Sequence, residues 1–126
     1  MKKLILLGSV LLGTFFFAQT VGGDQDAHGC KGSAGYTYSQ VQDKCIRVFE
    51  QKVKLKEVKS NKSYETIAAV VWSADKNKAE VFLANEEKSV ILEKMSGKKV
   101  WKNKIYTLTP TKKGYSLKKD NIIIYQ

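Results

Sequence analysis

This chain has little of what protein catalysis usually draws on. Its 126 residues include one histidine (His28), two cysteines (Cys30 and Cys45), one proline and a single arginine, Arg47. With one histidine, any Ser-His-Asp arrangement would have to use a residue in the polar segment 24–30. His28 and the two cysteines together fall short of the four ligands a structural zinc site takes. There is no glycine-rich phosphate loop and no His-Glu-x-x-His motif. The adjacent carboxylates Glu86 and Glu87 sit in a turn-like segment, where water solvates them. These absences predict a protein that is not an enzyme and that uses no metal and no cofactor. Long apolar runs are missing too: the longest, residues 4–17, is 14 residues, shorter than the ~20 that cross a bilayer as a helix.

That run has a different meaning. It follows Met1-Lys2-Lys3, and a positive start before a short apolar stretch is the pattern of a secretory signal. The expected cut follows Ala18, with a second candidate after Thr20. Cys30 lies too far beyond the apolar run for lipid attachment. The chain therefore reads as exported, to the periplasm or beyond, with no membrane span in its mature form. Export removes Lys2 and Lys3 and lowers the formal net charge from +10 to +8. Such an excess draws a domain toward polyanions and acidic partners. Because nearly all of it is lysine, it reads as diffuse attraction before it reads as bidentate phosphate recognition.

In an oxidising compartment Cys30 and Cys45 are expected to form one disulfide. A loop of that length contributes roughly 3 kcal/mol by chain entropy. Residues 1–18 read as a signal peptide, 19–35 as a flexible, glycine-rich lead-in, and 36–126 as a single β domain. Within that domain, Ser39 and Gln42 have the spacing of a capping box, which predicts a short helical turn near residues 39–44 and a strand after it. Strand patterns follow at 52–58, 66–72, 79–84, 89–95, 99–109, 114–119 and 121–125, separated by turn-forming residues. Seven or eight short strands with tight turns predict an all-β antiparallel meander, closed as a small barrel or sandwich. The disulfide-pinned segment precedes it.

The stretch "MSGKKVWKNKIY", residues 95–106, is the most suggestive for function. Ser96-Gly97 is a good hairpin turn, because glycine tolerates positive φ. In the plainest reading Lys98, Lys99, Lys102 and Lys104 are solvated lysines on a strand edge. If Trp101 is exposed among them, it would stack on a base or sugar or anchor an interface.

Across residues 66–125 the order of strands and turns resembles the MliC family of periplasmic inhibitors of C-type lysozyme, which are small β-barrels. Ser96-Gly97-Lys98-Lys99 resembles that family's Ser-Gly-x-Arg/Lys-Tyr loop, with Val100 in place of the tyrosine. Lys113-Gly114 resembles its second, Lys-Gly segment. The resemblance implies that Ser96 and Lys113 would reach the catalytic carboxylates of lysozyme. The candidate contact set is thus Ser96, Gly97, Lys99, Trp101, Lys112 and Lys113, directed at a protein partner with an acidic cleft. The alternative is a polyanion or cell-surface glycan binder that uses Lys52, Lys54 and Lys56 together with Trp101.

Processing is directly checkable. Intact mass of the exported protein is expected to fit a chain beginning at or near Gln19 with both thiols oxidised. Two alkylatable thiols would contradict the disulfide.

Overall fold

The computed structural model describes residues 25–58 and 65–126. The expected signal peptide and the first residues of the lead-in, 19–24, lie outside the described residues. The described part is mostly strand, and ten strands fall into two sheets. β1 (Tyr36–Ser39) and β2 (Lys44–Arg47) form a two-stranded hairpin. The other eight are β3 (Val53–Lys56), β4 (Ile67–Trp72), β5 (Lys78–Leu83), β6 (Val90–Lys94), β7 (Trp101–Lys102), β8 (Tyr106–Thr111), β9 (Gly114–Lys119) and β10 (Ile122–Tyr125). They pair antiparallel in chain order, from β3 at one edge to β10 at the other.

The two edges then meet. Lys56 and Gln126 exchange backbone hydrogen bonds of 3.0 and 2.9 Å, and the Val58 N–H donates to the Ile124 carbonyl at 3.0 Å. A side-chain chain reinforces this seam: the Tyr125 hydroxyl pairs with Thr66 Oγ1 at 2.6 Å, and Thr66 Oγ1 donates to Glu57 at 3.0 Å. The meander is thereby nearly closed into a barrel. Strand alternation sends Leu55, Ala68, Val70, Ala79, Val81, Leu92, Leu108 and Leu117 into its interior, where each is buried.

Two local expectations change. Residues 39–44 form no helix: 40–43 are the turn of the β1–β2 hairpin, between the paired Ser39 and Lys44, with Asp43 at φ 52°. The Ser39 hydroxyl does accept the Gln42 N–H at 3.2 Å, as in a cap, but no helix follows. The single strand expected over 99–109 is broken into β7 and β8. Asn103 causes the break, since its Oδ1 accepts the N–H groups of Ile105 (2.8 Å) and Tyr106 (2.7 Å). A side chain that captures backbone donors in this way replaces ladder bonds with a turn.

The Cys30–Cys45 disulfide is present and ties the lead-in to β2. Gly35, at φ 86°, lies where a Cβ would sit 2.7 Å from the Phe49 ring, so the chain needs glycine there. Arg47 is held within this hairpin, paired with Glu50 at 3.1 Å and lying 4.6 Å from the Tyr36 ring centre. The one arginine is therefore a structural element of the hairpin.

A buried carboxylate fastens the hairpin to the barrel. In β5, Ala79 and Val81 point inward, so Glu80 points outward, yet it is fully buried. It accepts the Ser39 hydroxyl at 2.7 Å, the Gln40 N–H at 3.1 Å, the Val41 N–H at 3.3 Å and the Ser89 hydroxyl. Its cross-strand partner is Val71. Ala69 and Val71 share that outward face and are buried too. The hairpin thus covers the outer face of β4 and β5, which explains why "IAAVV" is apolar at both parities.

Removing the Glu80 carboxylate strands two hydroxyls and two backbone donors at once. Glu80→Ala is expected to cost about 3 kcal/mol, because unpaired buried donors lose their full solvation. Exposed Glu93→Ala should stay within about 0.5 kcal/mol. Urea unfolding midpoints of the two variants check this; equal midpoints would show that the Glu80 network contributes no stability.

Candidate functional site

In an up-and-down meander, alternate connections share an end of the barrel. The β4–β5 turn, the β6–β7 loop and the β8–β9 turn therefore lie together. This end gathers most of the residues expected to bind. Ser96, Gly97, Lys98 and Lys99 are all exposed in the β6–β7 loop. Gly97 takes φ 71°, and the loop is held by hydrogen bonds from the Lys98 N–H to the Met95 carbonyl (3.2 Å) and from the Met95 N–H to the Val100 carbonyl (2.7 Å). Lys112 and Lys113 are the two exposed residues between the pair Thr111 and Gly114. β8 runs three residues past Leu108, the residue that pairs with Trp101. The Lys112-Lys113 turn therefore projects roughly 10 Å beyond the start of β7.

Trp101 departs from the expected contact set. It is only 4 % exposed. Its indole N–H donates to the Lys76 carbonyl at 2.8 Å, and its ring lies 5.7 Å from Trp72 and 6.3 Å from Tyr115, edge-on to both. These three aromatics plug the end of the barrel beneath the lysine-bearing loops. Parity decides this: Trp101 pairs with Leu108, which is fully buried, so the tryptophan faces the same interior. It gives the loops a rigid floor and presents no stacking surface.

A second group of expected residues arrives at the same place. β10 contacts β3 only from Lys56 onward, so among the described residues the first part of β3 has no strand partner on its outer edge. The gap between it and the start of β9 is a groove of about 670 Å³. Lys52, Lys54 and Lys56 line one side and Lys112 and Lys113 the other, over an apolar floor that includes Leu55 and Tyr115. No Asp or Glu side chain lines it; Gln126 does. Lys54 Nζ donates to the Phe49 carbonyl at 2.8 Å, which fixes that ammonium beside the groove. None of these lysines forms an ion pair among the described residues. Two runs about sixty positions apart in sequence thus form one cationic surface; neither run by itself reveals the other.

A larger cleft of about 1140 Å³ lies between the lead-in and the outer wall of the barrel. Its lining mixes signs, with Asp26, Glu65, Glu86 and Glu87 against Lys88, and it includes His28. His28 stacks flat on Tyr38 at 3.5 Å between ring centres. Asp43 accepts the Tyr38 hydroxyl, which raises that phenol above its ordinary range. Among the described residues no cluster of His, Cys, Asp and Glu has the makings of a metal site. The cleft has no single charge character; the seam groove has one.

Comparison of the chain with protein-family models, with curated proteins and with solved structures returns no match. The site therefore has to be read from its own chemistry.

The turn that supports Trp101 carries a titratable clamp. Asp75 accepts the Asn77 N–H at 2.9 Å and the Ser73 hydroxyl at 2.7 Å, and these bonds hold its carboxyl below the ordinary aspartate value of 3.8. A carboxyl depressed on folding contributes stability above its unfolded value and loses it as pH falls through the folded one. In an NMR titration the Asp75 midpoint is expected below 3.8, with the Trp101 indole signal shifting in the same acid window. A midpoint at or above the ordinary value would contradict the clamp.

Proposed function

We propose that this chain is an exported, non-enzymatic binding protein that captures an anionic macromolecule along its lysine-lined seam. The observation that carries this reading is the groove itself: five lysines on two facing walls, no acidic side chain between them, and an apolar floor. Unpaired ammonium groups held apart by a rigid barrel attract a polyanion without first breaking ion pairs. Lysine suits a partner read by charge and spacing more than by bidentate geometry. A sulfated glycan or a single-stranded nucleic acid has the required charge density.

A test follows from counterion release. For a single-stranded oligonucleotide, each neutralised phosphate adds about −0.7 to the slope of log affinity against log salt. The double variant Lys112→Ala/Lys113→Ala and the triple variant Lys52→Ala/Lys54→Ala/Lys56→Ala should each weaken binding and flatten that slope. A sulfated glycan fragment should show the same pattern. Binding that survives both variants with an unchanged slope would remove the groove from the function.

The resemblance to MliC-type inhibitors supports a second reading, favoured by one specific observation. The Ser96 loop and the Lys113 turn are exposed on neighbouring hairpins at the same end of the barrel. A hydroxyl and an ammonium presented there would suit paired carboxylates in an acidic cleft, as in a C-type lysozyme. On this reading Lys113→Ala loses protection of a lysozyme-sensitive cell suspension, Ser96→Ala weakens it, and Lys54→Ala leaves it intact. Truncating one partner of a buried charged contact costs roughly 2–5 kcal/mol, at least about thirtyfold in affinity. No protection by the unaltered protein at low salt would leave the polyanion reading alone.

A further inference from the structure

The outer face of the barrel is dressed unequally. Over β4 and β5 the disulfide hairpin covers it. Over β7 to β10 no described segment does, and the residues there are unusual for an open surface. Register places Lys102, Thr107, Lys118 and Ile123 in one row across four strands. Trp101, Leu108 and Leu117 point into the core, so this row points outward. Ile105 has the same parity as Thr107 and lies next to the row, toward the far end of the barrel. Ile105, Ile122 and Ile123 are 48 %, 64 % and 39 % exposed.

Two turns hold these isoleucines in place. The Asp120 N–H donates to the Ile105 carbonyl at 3.0 Å, which ties the β9–β10 turn to the β7–β8 turn. Asp120 and Asn121 both have positive φ (51° and 69°), the tight two-residue geometry that matches strand twist. Ile122 follows directly and pairs with Lys119, which pairs with Tyr106, so it stands out at the end of the barrel and not in the outward row of Ile123. Lys102, Lys104, Lys118 and Lys119 surround the isoleucines. The nearby carboxylates are Asp120, within the turn, Glu57, which lines a recess with Ile123 and Lys119, and Glu93, at the far end of the row opposite Lys102.

Branched aliphatic side chains on projecting turns, ringed by lysines, match the two layers of an anionic membrane surface. The isoleucines enter the headgroup–acyl boundary, while lysine stems lie along it and their ammonium groups reach the lipid phosphates. A protein partner would need a concave apolar recess shaped to these tips, whereas a bilayer accommodates any convex one. We propose that the β7–β8 and β9–β10 turns, with the adjoining outer face of β7–β10, are a peripheral docking surface for an anionic lipid bilayer, using Ile105 and Ile122 at the turn tips and Ile123 beside them as the inserting residues and Lys102 and Lys118 as headgroup contacts. It is separate from the seam groove, because the Lys112-Lys113 turn lies at the opposite end of β8 and β9. A domain held in this way would keep its cationic groove directed away from the bilayer.

The experiment is sedimentation of the exported protein with vesicles of phosphatidylcholine, with and without phosphatidylglycerol. Binding is expected only where phosphatidylglycerol is present. Ile105→Asn/Ile122→Asn should lower the partition coefficient at least roughly tenfold, given the apolar area each isoleucine withdraws from water. Lys102→Gln/Lys118→Gln should lower it most at low salt, and Lys112→Ala/Lys113→Ala should leave it unchanged. Both isoleucines are exposed, and an unchanged melting temperature will show that their variant is folded. Broadening of the Ile105 and Ile122 amide signals by a paramagnetic lipid gives an independent readout in the unaltered protein. Three outcomes would overturn the proposal: no binding to either vesicle, binding indifferent to the isoleucine pair, or a dimer in solution that the isoleucine pair dissolves. The last would make this face a contact between copies of the chain.

Discussion

Lys56 and Gln126 exchange a pair of backbone hydrogen bonds, and most of what is distinctive here depends on that contact. An eight-stranded meander left open would expose two edges and half its core. Joined there, β3 and β10 enclose the leucines and the three aromatics behind them. The junction is also incomplete, since it covers only the last part of β3. Its earlier residues keep an open edge facing the start of β9. Barrel closure and the groove are therefore two consequences of the same short pairing.

Charge follows from that geometry. Lys52, Lys54 and Lys56 alternate with Val53 and Leu55, so packing of the apolar residues against the core turns every lysine outward. Lys112 and Lys113 occupy a two-residue turn, where both must face water. Because the seam is narrow, the two sets meet across it. No acidic residue lines either wall, so the ammonium groups remain available to an anion. In β5, two strands from β3, Glu80 shows the contrary case. It stays buried because four donors from the hairpin and Ser89 surround it.

The surface thereby divides into three regions with different chemistry: a covered wall over β4 and β5, a cationic seam at β3 and β9, and an isoleucine-bearing wall over β7 to β10. The proposed functions use the second and third. They lie at opposite ends of the same two strands, β8 and β9, so one rigid hairpin can present both.

The sequence by itself determined the all-β class, the antiparallel order and the pairing of the two cysteines. Each rests on local information: period-two alternation, turn residues, and the presence of only two thiols. It also showed the lysine runs, and the strands at 52–58, 66–72 and 114–119 are close to those observed. Tertiary structure decided what those residues face. Trp101 sits between lysines in the chain, yet its register against Leu108 sends it inward. Glu80 alternates like any solvent-facing residue of a strand, and only the hairpin arriving from forty positions earlier buries it. Asn103 divides a run that alternates well enough for one strand, because its side chain takes two backbone N–H groups. The groove exists only once β3 and β9, far apart in sequence, are brought together by closure. Alternation says which residues share a face; the pairing of distant strands says what that face meets.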